Sequence, residues 1–387
     1  MPLTGWKRGA FVALMVAGIL GFAEAAAAVA WFATVPRGER DALERLMKAG
    51  GRGPGGASSV LRFASHPYFL FVNNPEFTTP DGRRLHDPIG VRATGTPLRD
   101  KPDGVLRVVA LGASTTYGYY YDDPGGTWPA RLRPALETAL GRPVEVINFG
   151  VPGHTTYETL GMAAMWLPEL RPDVVLLTVG VNDAFAVGYP DEGGPDNTLF
   201  RHAWEFRPPS PVTLRLMRWS HLLRLAGRAW LSRAAGSLDF IQALQRPLPP
   251  AGAVEANARN ATGKYFRRNL ETLVLLTRHA GARPVLLTNP HNPARESAMG
   301  SYYDAVLAAI RRNNGIIAEV GRSGQVAVVD LYPRLRDPGL FRDAVHPNDR
   351  GMAAITTALI EALPPALGGG RHPAPAANRP GDYALKR

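Results

Sequence analysis

Five apolar runs of strand length recur between residues 105 and 331: "VLRVVALG" (105–112), "VEVINFG" (144–150), "DVVLLTVG" (173–180), "RPVLLTNP" (283–290) and "QVAVVDL" (325–331). They are rich in Val, Leu and Ile and do not alternate cleanly with polar residues, as expected of parallel strands covered on both faces. Helical stretches separate them, at 127–141, 155–170, 264–281 and 301–321. Strand alternating with helix predicts an α/β fold: a three-layer, doubly wound sheet of about five parallel strands. In such a sheet, functional groups gather in the turns at the carboxyl ends of the strands. Those turns are therefore the place to look for chemistry.

The remainder of the chain is organised around this block. Lys7 and Arg8 precede an apolar stretch from Gly9 to about Val35, long enough to cross a bilayer as a helix. The leading positive charges predict an inner-membrane segment with its N-terminus in the cytoplasm and the body on the extracytoplasmic (periplasmic) side. Two readings of residues 1–35 remain open: a retained anchor, with Trp31 and Phe32 near the outer interface, or a cleaved signal with its processing site near "AEA", which leaves a secreted body. Glu24 fits neither comfortably, since a carboxylate in lipid is costly. Residues 36–104 read as a charged and Gly-rich linker followed by an irregular N-terminal extension. The core domain is expected over 105–366, and 367–387 as a disordered tail. Within the core, 189–262 lacks a convincing strand. It reads as a helical insertion carrying one basic amphipathic helix at 211–235, either packed on the domain or lying on a membrane surface.

Composition narrows the function classes. Lys+Arg number 44 against Asp+Glu 33, which favours anionic surroundings, but the arginines are scattered and form no block suited to a nucleic-acid groove. There is no cysteine, so disulfides, thiolate catalysis and Cys-ligated zinc are excluded. "GASTTYG" is not a phosphate loop, because no Gly-Lys-Ser/Thr follows at the required spacing. Nor is it a Gly-x-Ser-x-Gly elbow, since Thr116 stands where the second glycine belongs. The dispersed histidines form no metal-ligand motif, and no cofactor is expected.

At the strand ends the chain offers a consistent set of groups. "LGAST" places Ser114 just past the first run, "NFGVPGHTT" offers Asn148, Gly150 and Gly153, and "VGVNDA" places Asn182 and Asp183. "FRDAVHPNDRG" sets Asp343 three residues before His346. A serine hydroxyl needs a neighbouring base to become a nucleophile, a task for His346. The imidazole needs a carboxylate on its other nitrogen, for which Asp343 is the candidate. Charge developing on an acyl oxygen needs preformed donors, which the amides of Ser114 and a glycine and the side chain of Asn182 could supply. The spacing alone does not separate Gly150 from Gly153.

In these four blocks, Gly112-Ala113-Ser114, the glycines of "NFGVPG", Gly180-x-Asn182-Asp183 and Asp343-x-x-His346-Pro347, the chain resembles the SGNH hydrolases, also called the GDSL esterase and lipase family, from about residue 105 to 364. The segment before Ser114 is similar to the extension of bacterial, membrane-anchored members. The resemblance implies a flavodoxin-like SGNH fold and a catalytic triad of Ser114, Asp343 and His346. It implies an oxyanion hole of the Ser114 amide, Gly153 (the second glycine of its turn) and Asn182. Ala113 departs from the family's Gly-Asp-Ser. The activity implied is a serine esterase acting on an O-acyl ester of a carbohydrate or lipid, with no nucleic-acid partner. Two alternatives are an O-acyltransferase on an envelope polysaccharide using the same triad, and a catalytically silent, membrane-tethered binding module.

Overall fold

The computed structural model describes residues 5–49, 62–79, 81–94, 100–188, 194, 196, 210–233, 250–295 and 300–368. Along the chain its elements begin with α1 (Gly5–Thr34), α2 (Arg37–Ala49), β1 (Phe63–His66), β2 (Leu70–Asn73), β3 (Leu106–Gly112), α3 (Ser114–Tyr117) and α4 (Trp128–Leu140). There follow β4 (Val144–Gly150), α5 (Thr156–Leu170), β5 (Val174–Thr178), α6 (Val181–Phe185), α7 (Pro211–Trp219) and α8 (His221–Arg233). The last are α9 (Ala251–Asn260), α10 (Lys264–His279), β6 (Arg283–Leu287), α11 (Gly300–Gly324), β7 (Ala327–Val329) and α12 (Asp349–Gly368). The chain divides into two compact units, Met1–Gly90 with Arg201–Pro247, and Val91–Phe200 with Leu248–Arg387.

The second unit holds the sheet. Its five strands are all parallel in the order β4-β3-β5-β6-β7, and each coincides with one of the apolar runs. Every residue of β3, β4 and β5 is buried, which is why these strands read as continuous apolar runs. The pleat still divides them. Leu106, Val108 and Ala110 share a core with Leu132 and Leu136 of α4 and Leu359 of α12, while the intervening Val109 and Leu111 are buried on the opposite face. On that side α5, α10 and α11 pack on one another and on the sheet. Helix starts are capped: Thr127 Oγ1 accepts from the Ala130 amide, and Thr155 and Glu158 form a reciprocal capping box on α5, satisfying amides that have no partner inside the helix. The outer edge of β4 is covered as well. The Arg92 amide donates to Asn148 O at 3.1 Å and Thr94 Oγ1 to Val146 O at 2.9 Å, which closes an edge that could otherwise pair with another chain.

The first unit departs from the expected linker. Residues 37–49 form helix α2, because Leu43 and Met47, one turn apart, are buried in a cluster with Trp31, Val35, Leu214 and Met217. Residues 63–73 form a two-stranded antiparallel hairpin. The single amphipathic helix expected at 211–235 is two helices, broken at Ser220, which adopts extended backbone angles (φ −137°, ψ 124°). Its hydroxyl accepts from the Leu223 amide at 3.1 Å, so Ser220 caps α8 rather than continuing α7. The expected insertion at 189–262 is divided between the units, its described residues 210–233 lying with the first and 194, 196 and 250–262 with the second. The expected tail from 369 onward, and most of 189–209 and 234–249, lie outside the described residues.

Helix α1 is long and apolar enough to cross a membrane, with a mean hydropathy of 2.1 over its most apolar 18-residue window. Its residues 5–22 are exposed along their whole length, whereas Ala27 and Trp31 further on are buried.

Candidate active site

The strand order makes β3 the point where the sheet changes direction, with β4 on one side and β5 on the other. The crevice at the carboxyl end of such a switch point is where α/β sheets hold ligands. Ser114 follows β3 and Asn182 follows β5, so both fall at this crevice.

Gly112 ends β3 where no side chain fits: a Cβ there would stand 2.2 Å from Thr116 Oγ1 and 2.8 Å from Thr178 O. The chain can therefore turn at once into the one-turn helix α3, which opens with Ser114 and closes at Gly118. Asn148 fixes this turn from the neighbouring strand, its Nδ2 donating to Thr116 O at 2.8 Å. Its Oδ1 accepts from the Gly150 amide at 3.0 Å. The Gly150 amide is thus directed at Asn148. Gly153 sits beyond it at φ 84°, in the left-handed region that favours glycine. The loop that carries it is tied to the serine turn by the Val151 amide, which donates to Gly112 O at 3.1 Å. Asn182 Nδ2 donates to His154 O at 2.9 Å, bringing the third strand end against the same loop.

Asp343 and His346 lie in a tight turn in which the Arg342 amide donates to His346 O at 2.9 Å. Asp343 Oδ1 accepts from the amides of Val345 and His346 at 2.9 and 2.8 Å. Its Oδ2 accepts from His346 Nδ1 at 2.7 Å. With Nδ1 as the protonated nitrogen, Nε2 is left as an acceptor, and it stands 2.8 Å from Ser114 Oγ. Burial alone would raise the Asp343 carboxyl; the His346 hydrogen bond and charge and the two amides outweigh it and hold the group well below the usual carboxylate range. Ser114 is 8% exposed and Asn182 7%, so the site is shielded but reachable.

Asp183, next to Asn182, has a different position. It is buried and takes the Thr156 hydroxyl at 2.5 Å and the Thr156 amide at 3.1 Å, holding the N-terminus of α5. Burial pushes its carboxyl up to about 7, against the Thr156 donors and with Glu158 adding to the rise.

Three contributions were not visible in the motifs. The Tyr120 hydroxyl donates to Asp343 Oδ2 at 2.9 Å, the oxygen that also holds His346, and its ring stands edge-on to the imidazole at 5.2 Å. From α11, Asn313 Nδ2 donates to Gly180 O at 2.8 Å and Asn314 Nδ2 to Asn289 O at 2.9 Å, pinning the loops after β5 and β6. The Asn292 amide then donates to Ala344 O at 2.8 Å, steadying the Asp343 turn. Two adjacent asparagines inside a helix are a legible signal, because asparagine favours caps and turns over helix interiors. Among the described residues no group of three or more His, Cys, Asp or Glu is arranged to hold a metal.

The model of the GDSL-like Lipase/Acylhydrolase family matches residues 110–354, while no curated protein matches the sequence. Among solved structures, a lipolytic protein of the G-D-S-L family from Veillonella parvula is 13% identical, with 67% of this chain and 98% of that chain covered and a TM-score of 0.41. A lipase/acylhydrolase from Enterococcus faecalis is 20% identical, with coverages of 67% and 96% and a TM-score of 0.40. A GDSL-like lipase from Bacteroides thetaiotaomicron is 15% identical, with coverages of 70% and 93% and a TM-score of 0.39. The family match spans well over half of the sequence, and the chain belongs to the GDSL-like lipase/acylhydrolase family, a class of carboxylic ester hydrolases.

Proposed function

We propose that this protein is a serine esterase, anchored in the inner membrane by α1, that hydrolyses an O-acyl ester of a carbohydrate or lipid on the extracytoplasmic side. The observation that carries the reading is the unbroken relay from Asp343 Oδ2 through His346 to Ser114 Oγ, with both links under 3 Å. Ser114 Oγ attacks the ester carbonyl carbon while His346 Nε2 takes the hydroxyl proton, and Asp343 holds the imidazolium that forms. The resulting oxyanion is met by the amides of Ser114 and Gly153 and by Asn182 Nδ2, an amide nitrogen with two N–H groups of which His154 O takes one. His346 returns its proton to the leaving alkoxide, the alcohol departs, and water repeats the sequence on the acyl-enzyme. Tyr120 acts through Asp343 as a positioning residue. Ala113, in place of the family's aspartate, lies outside this relay. The membrane placement is supported by the apolar span of α1 and the Lys7–Arg8 pair before it.

The test is active-site labelling of the full chain with a fluorophosphonate and mapping of the modified peptide. Labelling at Ser114 that is abolished in His346→Ala is expected. A folded protein that reacts with neither the fluorophosphonate nor an activated ester would overturn the assignment.

A further inference from the structure

The insertion and the membrane helix share a polar contact at Glu24. Glu24 of α1 accepts from the Ser220 hydroxyl at 2.7 Å, from the amides of His221 and Leu222, and lies 3.2 Å from His221 Nδ1. These amides open α8 and have no partner within it. The carboxylate that fits poorly in an apolar span thus caps the N-terminus of the second insertion helix, and each group satisfies the other.

The course of the two helices follows from their later contacts. Arg224 lies over the Trp31 ring at 5.9 Å, and Leu225 packs on the cluster of Trp31, Val35, Leu214 and Met217. Helix α8 therefore runs from Glu24 towards the C-terminal end of α1, and α7 runs the opposite way beside it. Their corner, Trp219 to Leu223, is the part of the hairpin nearest the apolar span. That corner is exposed: Trp219 is 81% exposed, Leu222 46% and Leu223 41%. Phe11, Leu14, Ile19, Leu20 and Phe22 of α1, on the N-terminal side of Glu24, are exposed as well.

A depth can be assigned to it. A hydrocarbon core of about 30 Å takes roughly 20 helical residues at 1.5 Å each. Counted from Gly9, the first residue after Arg8, this places the far boundary near Ala28. Glu24 lies about four residues, or ~6 Å, inside that boundary, which is the depth at which an apolar face rests in the interface of a membrane. Arg215, exposed on α7, sits about one turn above the corner, at headgroup height, where it faces anionic lipid, and Arg218, also exposed, reaches the same level by extending its long side chain outward. Trp219 occupies the position at which interfacial tryptophans collect.

We infer that the α7–α8 corner, held on α1 by Glu24, is a second membrane contact that dips into the outer leaflet of the bilayer α1 crosses. The inference rests on the anchored reading of α1. It gives Glu24 a structural purpose in the mature protein, which a signal cut at "AEA" would remove.

Because the chain has no cysteine, single cysteines report their own surroundings. Full-length protein carrying a nitroxide at Trp219→Cys or Leu222→Cys is reconstituted in vesicles of phosphatidylcholine and phosphatidylglycerol. Collision with oxygen is compared with collision with a water-soluble nickel chelate. Leu14→Cys marks the lipid end of the scale and Thr34→Cys the aqueous end. Labels at 219 and 222 are expected to match Leu14→Cys and to exceed Thr34→Cys by about tenfold in the oxygen-to-nickel ratio. Adding Glu24→Ala, which makes the span more apolar, is expected to leave Leu14→Cys in lipid and return 219 and 222 to water. Labels at 219 and 222 that match Thr34→Cys while Leu14→Cys is lipid-shielded would overturn the second contact and leave the anchor standing. An aqueous Leu14→Cys would overturn both.

Discussion

The two ends of the same five strands carry polar residues in opposite conditions. At the amino end, Arg107 is buried with every direction of its guanidinium engaged: Nε donates to Glu145 Oε2 at 2.9 Å, Nη2 meets the same oxygen at 2.8 Å, and Nη1 donates to Leu170 O at 2.7 Å. Asp173 closes the edge by accepting the Arg107 amide at 2.7 Å and Lys101 Nζ at 2.6 Å. At the carboxyl end the bonds form a line rather than a closed knot, and the line ends on Ser114 Oγ. Charge at one end is consumed by the fold, while at the other it leads to a hydroxyl at the crevice of the sheet. The sheet thus separates structural polarity from chemical polarity by about one strand length.

The comparison breaks most visibly at the relay. Ser114→Ala and His346→Ala are each expected to lower kcat by about 10⁴-fold or more, with a melting temperature close to that of the parent. A large loss of stability would place these residues with the structural end. Arg107→Met should do the converse, stranding the Glu145 carboxylate in the core and costing about 3–5 kcal/mol of unfolding free energy. Pairing it with Glu145→Leu should recover most of that loss in denaturant melts, since the uncompensated charge is gone. Next comes Asn182→Ala, expected to lower kcat by about 100- to 1,000-fold with little change in KM, as for removal of one oxyanion donor.

Asp183 sharpens the contrast because it sits beside the site yet belongs to the fold. Its folded carboxyl lies near 7, above the value of about 3.9 in an unfolded chain. Its contribution to stability is therefore full below about pH 4 and is lost as pH rises through about 7. Asp183→Asn should flatten unfolding free energy across that window while the activity of the folded protein changes little. The smallest effect is expected of Tyr120→Phe, which removes one hydrogen bond to a charged acceptor. A fall in kcat of about tenfold, with KM unchanged, corresponds to the ~1.5 kcal/mol such a bond contributes.

Much of this was legible in the sequence for a physical reason. Strands buried on both faces need no alternation, so β3, β4 and β5 appear as unbroken apolar runs. Ser114 and Asn182 each follow a run directly, so their placement in the crevice needed only the strand order, while Asp343 and His346 stand twelve and fifteen residues past the last run and were marked by their own spacing. What was hidden depended on distant partners. Tyr120 meets a carboxylate 223 positions away, and Glu24 caps a helix 197 positions away. Helix α2 reads as linker in the sequence because, among its described side chains, only Leu43 and Met47 are buried, against a largely charged segment.

The turn that joins Asp343 to His346 bears on how the enzyme responds to heat. One carboxylate oxygen grips the backbone of the turn and the other grips the ring at its end, so carboxylate and imidazole move together. Thermal motion has a single gap to open, the one between His346 Nε2 and Ser114 Oγ. Activity lost on warming below the melting point should therefore return fully on cooling, as a hinge closing rather than a site being rebuilt.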